Sequence, residues 1–363
     1  MNEQAELFRA PAATTQQDWD ALGRYLARLG HVLSDAPPQQ FAGGFGNLNY
    51  ALTIDETRWV LRRPPMGPIP PGANDMLREH RMLSALSPVW PLVPKPLVLC
   101  EDPDVLGRPF LIMEYRPGLS IGGTLPDYGL HAQDEREAGR YLSRLLIDTL
   151  AHLHGIDPQT VGLGAFGKPD GFLDRAIAGW SKRADLALDG KETPAALTTV
   201  VDWLRSEPTP RGDLTLLHND FKLDNLLLDE TDLTPLALVD WDMGSRGDPL
   251  FDLATLLSYW TEPGDPDCLH RLSQMPTAAP GFWSRDEAAA AYAATTGRDI
   301  SNLMFYRVLT LFKLAVVFLQ LEARADRGEP VNPKIHALRG LGMDLLDYTA
   351  AITPQTKHGH GKV

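Results

Sequence analysis

Apolar residues recur along this chain with two periods, one suited to strands and one to helices. Residues 18–30, DWDALGRYLARLG, place Trp19, Leu22, Tyr25, Leu26 and Leu29 at helical spacing and stop at Gly30. Residues 41–54, FAGGFGNLNYALTI, are Gly-rich and then alternate, which predicts strand, turn, strand. Residues 59–63, WVLRR, predict a third strand, halted by Pro64 and Pro65. Residues 75–86, DMLREHRMLSAL, predict a helix carrying Glu79 among Met76, Leu83 and Leu86, and residues 93–100 and 109–115 predict two further strands. A five-stranded sheet with one helix should therefore end near residue 116.

Beyond that point the period is helical. Residues 135–157, EREAGRYLSRLLIDTLAHLHGID, offer Tyr141, Leu145, Ile147, Leu150 and Leu153 for burial. His152 and His154 could pass for a metal pair, but residues two apart point away from each other on a helix, so capping or packing is expected. Helices are also expected over 171–183, 195–205, 250–260, 285–296, 302–325 and 334–351. The one break in this helical half is 216–252, where apolar runs Leu226-Leu227-Leu228 and Leu236-Ala237-Leu238-Val239 flank turn-forming residues and read as a hairpin.

Length and composition narrow the class. A chain of 363 residues exceeds one compact core, and 44% hydrophobic with 22% charged residues describes an ordinary globular protein of two packed units. The net charge of −13 argues against nonspecific nucleic-acid binding. Cys100 and Cys268 have neither metal spacing nor a disulfide framework, the opening residues lack an apolar signal core, and no run reaches the ~18 residues of a membrane span. A cytoplasmic protein with neither nucleic-acid nor membrane partners is the expectation.

The hairpin region carries the candidate chemistry. His218 and Asp220 lie two residues apart, Asn225 follows five after Asp220, and a strand runs into Asp240. Phosphoryl transfer needs a carboxylate to accept the attacking hydroxyl's proton and oxygen ligands for Mg2+, because positioning and charge neutralisation supply nearly all the catalysis. Asp220, Asn225 and Asp240 fit those roles, and the hairpin should set Asn225 and Asp240 at neighbouring strand ends. Gly43, Gly44 and Gly46, with Phe45 and Asn47, form either an ordinary hairpin turn or a backbone cradle for phosphates. Arg62 is either a phosphate-facing cation or an edge-strand Arg in water, and Glu79 either its ion-pair partner or a solvated helix residue.

The order of these segments resembles the protein-kinase-like fold, specifically the aminoglycoside phosphotransferase and choline kinase family, and within it the kinase domain found beside acyl-CoA dehydrogenases. The resemblance covers roughly residues 35–350 through FAGGFGNLNY, WVLRRPP, LREHRMLSAL, GRPFLIMEYRPG, LAHLHGID, GFLDRAIAGWSKR, HNDFKLDN and VDWDMGSRGDPLFDLATLLSYW. It implies an α+β bilobal fold: an N-terminal helical extension (1–34), a small antiparallel-sheet lobe (35–116) and a larger mainly helical lobe (117–363). It implies an ATP- and Mg2+-dependent kinase of a small-molecule hydroxyl, with nucleotide held between the lobes. Asp220 would be the base and Asn225 and Asp240 the metal ligands. Arg62 would bind phosphate with Glu79 as partner, and the backbone of Glu114 and Tyr115 would meet adenine. His218, Asp242, Asp248 and Asp252 would support the catalytic loop, although Asp248 equally suits a helix N-cap.

Three residues depart from the family pattern: Asn219 stands for the usual Gly, Asp242 for the usual Glu, and Arg62 for the usual Lys. A hydroxyacyl-CoA or related metabolite is the expected acceptor. The alternatives are an aminoglycoside or choline-like amine, which the 34 Asp+Glu against 23 Lys+Arg of residues 117–363 would suit, and a nucleotide-binding pseudokinase.

Overall fold

The computed structural model describes residues 7–43, 46–67, 74–126, 135–210, 212–329 and 334–355. The chain divides into two compact units, 1–120 with 161–163 and 225–244, and 121–160 with 164–224 and 245–363.

The first unit is built on an antiparallel sheet of β1 (Gln39–Gln40), β2 (Leu48–Ile54), β3 (Thr57–Arg63), β4 (Pro96–Cys100) and β5 (Phe110–Glu114), ordered β1-β2-β3-β5-β4. β3 is therefore central, and its alternation decides where its two arginines go. Leu61 and Arg63 share one face, while Arg62 takes the other. On the first face, α1 (Trp19–Arg28) contributes Leu22 and Leu26 to a core with Tyr50, Leu52, Ile54, Leu61, Phe110 and Ile112, each nearly or fully buried. Asp18 caps α1 by accepting from the Ala21 N–H. Arg63 is buried against this core and donates to the Leu106 carbonyl at 2.7 Å, at the end of the short helix α3 (Pro103–Leu106). α2 (Met76–Leu86) starts at Asp75, which accepts from the Arg78 N–H at 3.0 Å, and it buries Glu79 together with Met76, Met82, Leu83 and Leu86.

Four short strands lie between Thr215 and Gly247. β6 (Thr215–Leu217) pairs antiparallel with β9 (Ser245–Gly247) in the second unit, and β7 (Leu226–Leu228) pairs antiparallel with β8 (Pro235–Leu238) in the first. The β6–β9 pair was not expected from the sequence, because three-residue strands are too short to show alternation.

The second unit is otherwise helical: α4 (Glu135–Gly155), α5 (Phe172–Leu188), α6 (Ala195–Ser206), α7 (Pro249–Tyr259), α8 (Asp267–Leu272), α9 (Arg285–Thr296), α10 (Leu303–Asp326), α11 (Lys334–Ala337) and α12 (Leu341–Ile352). Three expectations change here. Along α4 the buried face is Leu142, Leu146, Ile147, Leu150 and Leu153, while Tyr141 is exposed and Leu145 half-buried. The span 334–351 is two helices rather than one, separated by a turn over 338–340 in which Gly340, at φ +82°, is the residue from which α12 starts. Finally, α10 is long and apolar enough to cross a bilayer by length and composition. Arg307 and Lys313 interrupt its apolar run without lowering the average enough to disqualify it. It serves as a core helix, packed against α5, α7 and α12, with most of its apolar run buried.

Candidate active site

In the first unit, the β7–β8 hairpin places Asn225 and Asp240 at adjoining strand ends. Leu226 pairs with Leu238, and the Val239 N–H donates to the Asn225 carbonyl at 2.9 Å. Asn225 is buried, whereas the Asp240 side chain keeps 40% of its surface open. Asp240 sits at φ 65°, ψ 58°, a left-handed conformation uncommon for a residue other than glycine, which turns the chain into a 3-10 turn at Trp241–Met243. The Trp241 ring, fully buried, packs edge-on against Trp90, and its indole N–H donates to the Leu238 carbonyl at 2.8 Å.

Arg62 reaches this turn from the centre of the sheet. It is 7% exposed, its Nε lies 2.9 Å from the Glu79 carboxylate, and its Nη2 pairs with Asp240. Burial works against the Arg62 charge, but Asp240, Glu79 and Asp242 outweigh it and hold the guanidinium's pKa above its ordinary value. Burial also pushes the fully buried Glu79 carboxyl up to about 7, against the pull of Arg62. The edge-strand and solvated-helix readings of these two residues thus give way to a buried network. Asn47, with its amide oxygen turned toward the guanidinium, accepts from Arg62 at 2.8 and 3.1 Å. Gly43 has open space where a Cβ would stand, and Gly46 meets only Asn74 at 3.4 Å. Gly44 and Phe45 lie outside the described residues.

Asp242 is tied to the start of α2. Its side chain accepts from the Asp75 N–H at 3.2 Å and pairs with Arg78 at 3.4 Å, while its carbonyl accepts from Arg78 Nε at 2.8 Å. Glu114 closes β5, its N–H donating to the Lys95 carbonyl at 2.8 Å and its side chain pairing with Arg116 at 2.9 Å. The Tyr115 ring stacks on Phe41 and lies under the Arg58 guanidinium, 4.6 Å away.

In the second unit, the loop from His218 to Asp224 is held from several sides. Asp252, fully buried on α7, accepts from the backbone N–H groups of both His218 and Asn219 at 2.6 Å. His154 lies 3.4 Å behind that carboxylate and 2.6 Å from the Tyr292 hydroxyl, so it is a packing residue, while His152 is exposed. Burial pulls the His154 pKa down even with Asp252 beside it. Asp248 accepts from the Leu250 N–H at 2.9 Å as the N-cap of α7 and from the Tyr306 hydroxyl at 2.6 Å. His218 is fully buried, edge-on to Phe221.

Asn219 has φ +64°. A residue without a Cβ, or an Asn, is what such a position accepts, which explains how Asn stands where the family has Gly. Its side chain donates to the Ser245 hydroxyl at 2.7 Å, and its carbonyl accepts from Lys313 at 2.9 Å. Lys313, on α10, is pulled below its ordinary pKa by burial and pushed back by Asp220 and Asp252. Asp220 accepts from the Tyr259 hydroxyl at 3.0 Å and lies 3.6 Å from Lys222, which also pairs with Asp224 at 2.9 Å. Ser245, Tyr259 and Lys313 escaped the sequence reading. Each sits more than twenty residues from the loop it contacts, in a segment whose pattern predicts only an element or nothing.

The second unit also holds a cavity of about 310 Å³ lined by apolar Leu125, Met275, Pro276, Ala278 and Ala279 and by polar Thr124, Thr261, His270 and Ser273, with Glu135 the carboxylate among the described residues. Met275 ties it to the loop, since its sulfur accepts from the Leu223 N–H at 3.4 Å.

Residues 37–290 match the model of the phosphotransferase enzyme family. The chain belongs to that family. Acyl-CoA dehydrogenase family member 10 of Mus musculus is 30% identical over 319 residues, 85% of this chain but 29% of the relative's own length. The phosphotransferase chain thus spans under a third of that protein. Among solved structures, a Ralstonia eutropha protein described by resemblance as an aminoglycoside phosphotransferase is 26% identical, with a TM-score of 0.74 over 93% of this chain and 98% of the other. An aminoglycoside phosphotransferase complexed with ADP and hygromycin B superposes with a TM-score of 0.58 at 16% identity, over 94% of this chain and all of that one, and shares the fold. The family's bilobal kinase-like α+β fold is therefore the fold of this chain.

Proposed function

We propose that this phosphotransferase is an ATP- and Mg2+-dependent kinase that transfers the γ-phosphoryl group to a hydroxyl of a small metabolite. The observation that carries the reading is the pair Asn225 and Asp240, separated in sequence and joined by the hairpin at adjoining strand ends. Mg2+ keeps most of its water and takes only one or two protein oxygens together with substrate phosphates, so an Asn and a half-open carboxylate are a fitting donor set. When bound, the metal would neutralise charge on the phosphates. Arg62, held by Glu79 and Asn47, supplies a permanent cation beside Asp240 for the same purpose. Asp220 accepts the acceptor's hydroxyl proton as the new O–P bond forms and the bond from the γ-phosphorus to ADP breaks. Asp252 fixes the loop that carries it.

For the acceptor, the 310 Å³ cavity favours a neutral or acyl-bearing metabolite, such as a hydroxyacyl-CoA, over a polycation. Its lining mixes apolar Leu125, Met275, Pro276, Ala278 and Ala279 with neutral polar groups such as Thr124, Thr261 and Ser273, and among the described residues it has one carboxylate, Glu135, whereas a polyamine would call for several converging carboxylates. The acidic balance of residues 117–363 favours the second reading, an aminoglycoside or choline-like amine. A pseudokinase is disfavoured by the presence of Asp220, Asn225 and Asp240 together. Calorimetric titration with ATP, with and without Mg2+, followed by a phosphate-transfer screen over CoA esters, amines and sugars, tests all three. Folded protein that binds neither form at millimolar nucleotide would sink the kinase reading, and binding without transfer to any acceptor or water would favour the pseudokinase.

A further inference from the structure

We propose that Tyr259 is a positioning residue for phosphoryl transfer, its hydroxyl holding the Asp220 carboxylate in the orientation from which it takes the acceptor's proton. This rests on the reading of Asp220 as the base. Tyr259 is the last residue of α7, and every residue of that helix before it, from Pro249 to Ser258, is buried. The helix is pinned at its start by the Asp248 cap and Tyr306, and along its length Ser258 meets Thr310 of α10 at 2.8 Å. A side chain at its end therefore projects from a rigid base, as a positioning group requires.

The contact itself is specific. The Tyr259 hydroxyl lies 3.0 Å from Asp220 Oδ1, and a carboxylate can only accept, so the phenol is the donor. Burial and the neighbouring Asp220 charge raise the phenol's pKa well above its ordinary value, so it remains protonated and able to donate. The same ring lies 5.8 Å from Lys222 Nζ, the cation 3.6 Å from Asp220 Oδ2. One aromatic residue thus touches the proposed base through its hydroxyl and the base's neighbouring cation through its face. Asp224 is a further charged neighbour, paired with Lys222 at 2.9 Å, and Lys313 on α10 also feels the Asp220 charge.

Two effects of the hydrogen bond oppose each other. Donation makes Asp220 a weaker base, which slows proton transfer, but it also selects one carboxylate rotamer. In a loose phosphoryl-transfer transition state little depends on the strength of the base and much on where it stands, so orientation wins. Removing the hydroxyl should then slow the reaction.

The test is single-turnover hydrolysis of Mg-ATP with water as acceptor, which needs no knowledge of the natural substrate. A hydrogen bond to a charged group is worth enough for Tyr259→Phe to lower the rate ~10- to 100-fold, with KM for ATP and thermal stability held near wild type. In an Asp220→Asn background the same substitution should change the rate by less than about twofold, because a residue that acts through Asp220 has nothing left to position. A Tyr259→Phe rate within about twofold of wild type, or a loss equally large with and without Asp220, would overturn the proposal. Should Asp220→Asn alone keep most of its activity, the base assignment fails instead, and the two failures are told apart by the single variants.

Discussion

Replacing Arg62 with Met tests the buried network, which the sequence left as one of two readings of this residue. Read as a strand cation in water, Arg62 could be removed with little effect on folding. In the structure it is 7% exposed and faces a Glu79 that is fully buried, so Arg62→Met strands a carboxylate in the interior. Breaking one side of a buried pair costs about 3 to 5 kcal/mol. The stranded group has an escape, since Glu79 already stands at about 7 against an ordinary value of 4.5 and can take up a proton. The sign follows from that shift. Because the folded protein holds the Glu79 proton more tightly than the unfolded chain, this group's stabilising contribution is complete below the ordinary carboxylate value. It is lost as pH rises through about 7. Without Arg62 the Glu79 pKa climbs further, so loss of stability continues to higher pH in the variant than in the wild type. The gap between the two proteins should be widest near pH 8, on the order of 3 kcal/mol, and should narrow toward pH 6. Denaturant unfolding at both pH values measures it, and Glu79→Gln added to Arg62→Met should recover much of the loss. A gap below about 0.5 kcal/mol at pH 8 would refute the argument, placing Arg62 in water after all.

Three further outcomes are expected. Asp220→Asn should cost ~10²- to 10⁴-fold in turnover while leaving the Mg-ATP dissociation constant little changed, whereas Asp240→Asn should weaken Mg-ATP binding as well, as calorimetry and single-turnover rates on both variants will show. Asn219→Gly should fold and turn over nearly as well as wild type, while Asn219→Val should lose on the order of 2 kcal/mol because φ +64° is costly for a β-branched residue; comparative denaturant melts decide it. Asp252→Ala leaves the His218 and Asn219 N–H groups without their shared acceptor and should destabilise the second unit by ~2 to 4 kcal/mol with loss of turnover, read by unfolding and by hydrogen exchange at those two amides.

Much of the molecule is written in local pattern. The alternation of residues 48–54 and 59–63, the helical period after residue 135 and the turn residues between Leu228 and Leu236 fix sheet, helices and hairpin. With them come Asn225 and Asp240 at adjoining strand ends, because the distance between the two is set by one short hairpin. The spacing of His218, Asp220 and Asn225 was likewise legible within eight residues of sequence.

What local pattern could not decide is what each polar side chain meets. Arg62 and Arg63 are adjacent and chemically identical; strand alternation puts them on opposite faces, and the central place of β3 buries both, one meeting Glu79 and Asp240 and the other the Leu106 carbonyl. Leu142 and Leu146 rather than Tyr141 and Leu145 face inward because the packing of α4 against α9 and β6 chose the buried face. A turn ending at Gly340 splits a helix that periodicity ran together. Tyr259, Lys313 and Ser245 reach the loop of Asp220 and Asn219 from elements distant in sequence. Periodicity reports which face of an element is apolar, a property of neighbours in the chain. Hydrogen bonds and ion pairs between elements depend on register and packing across long loops, and those are settled only when the buried polar groups of the whole fold have found their partners.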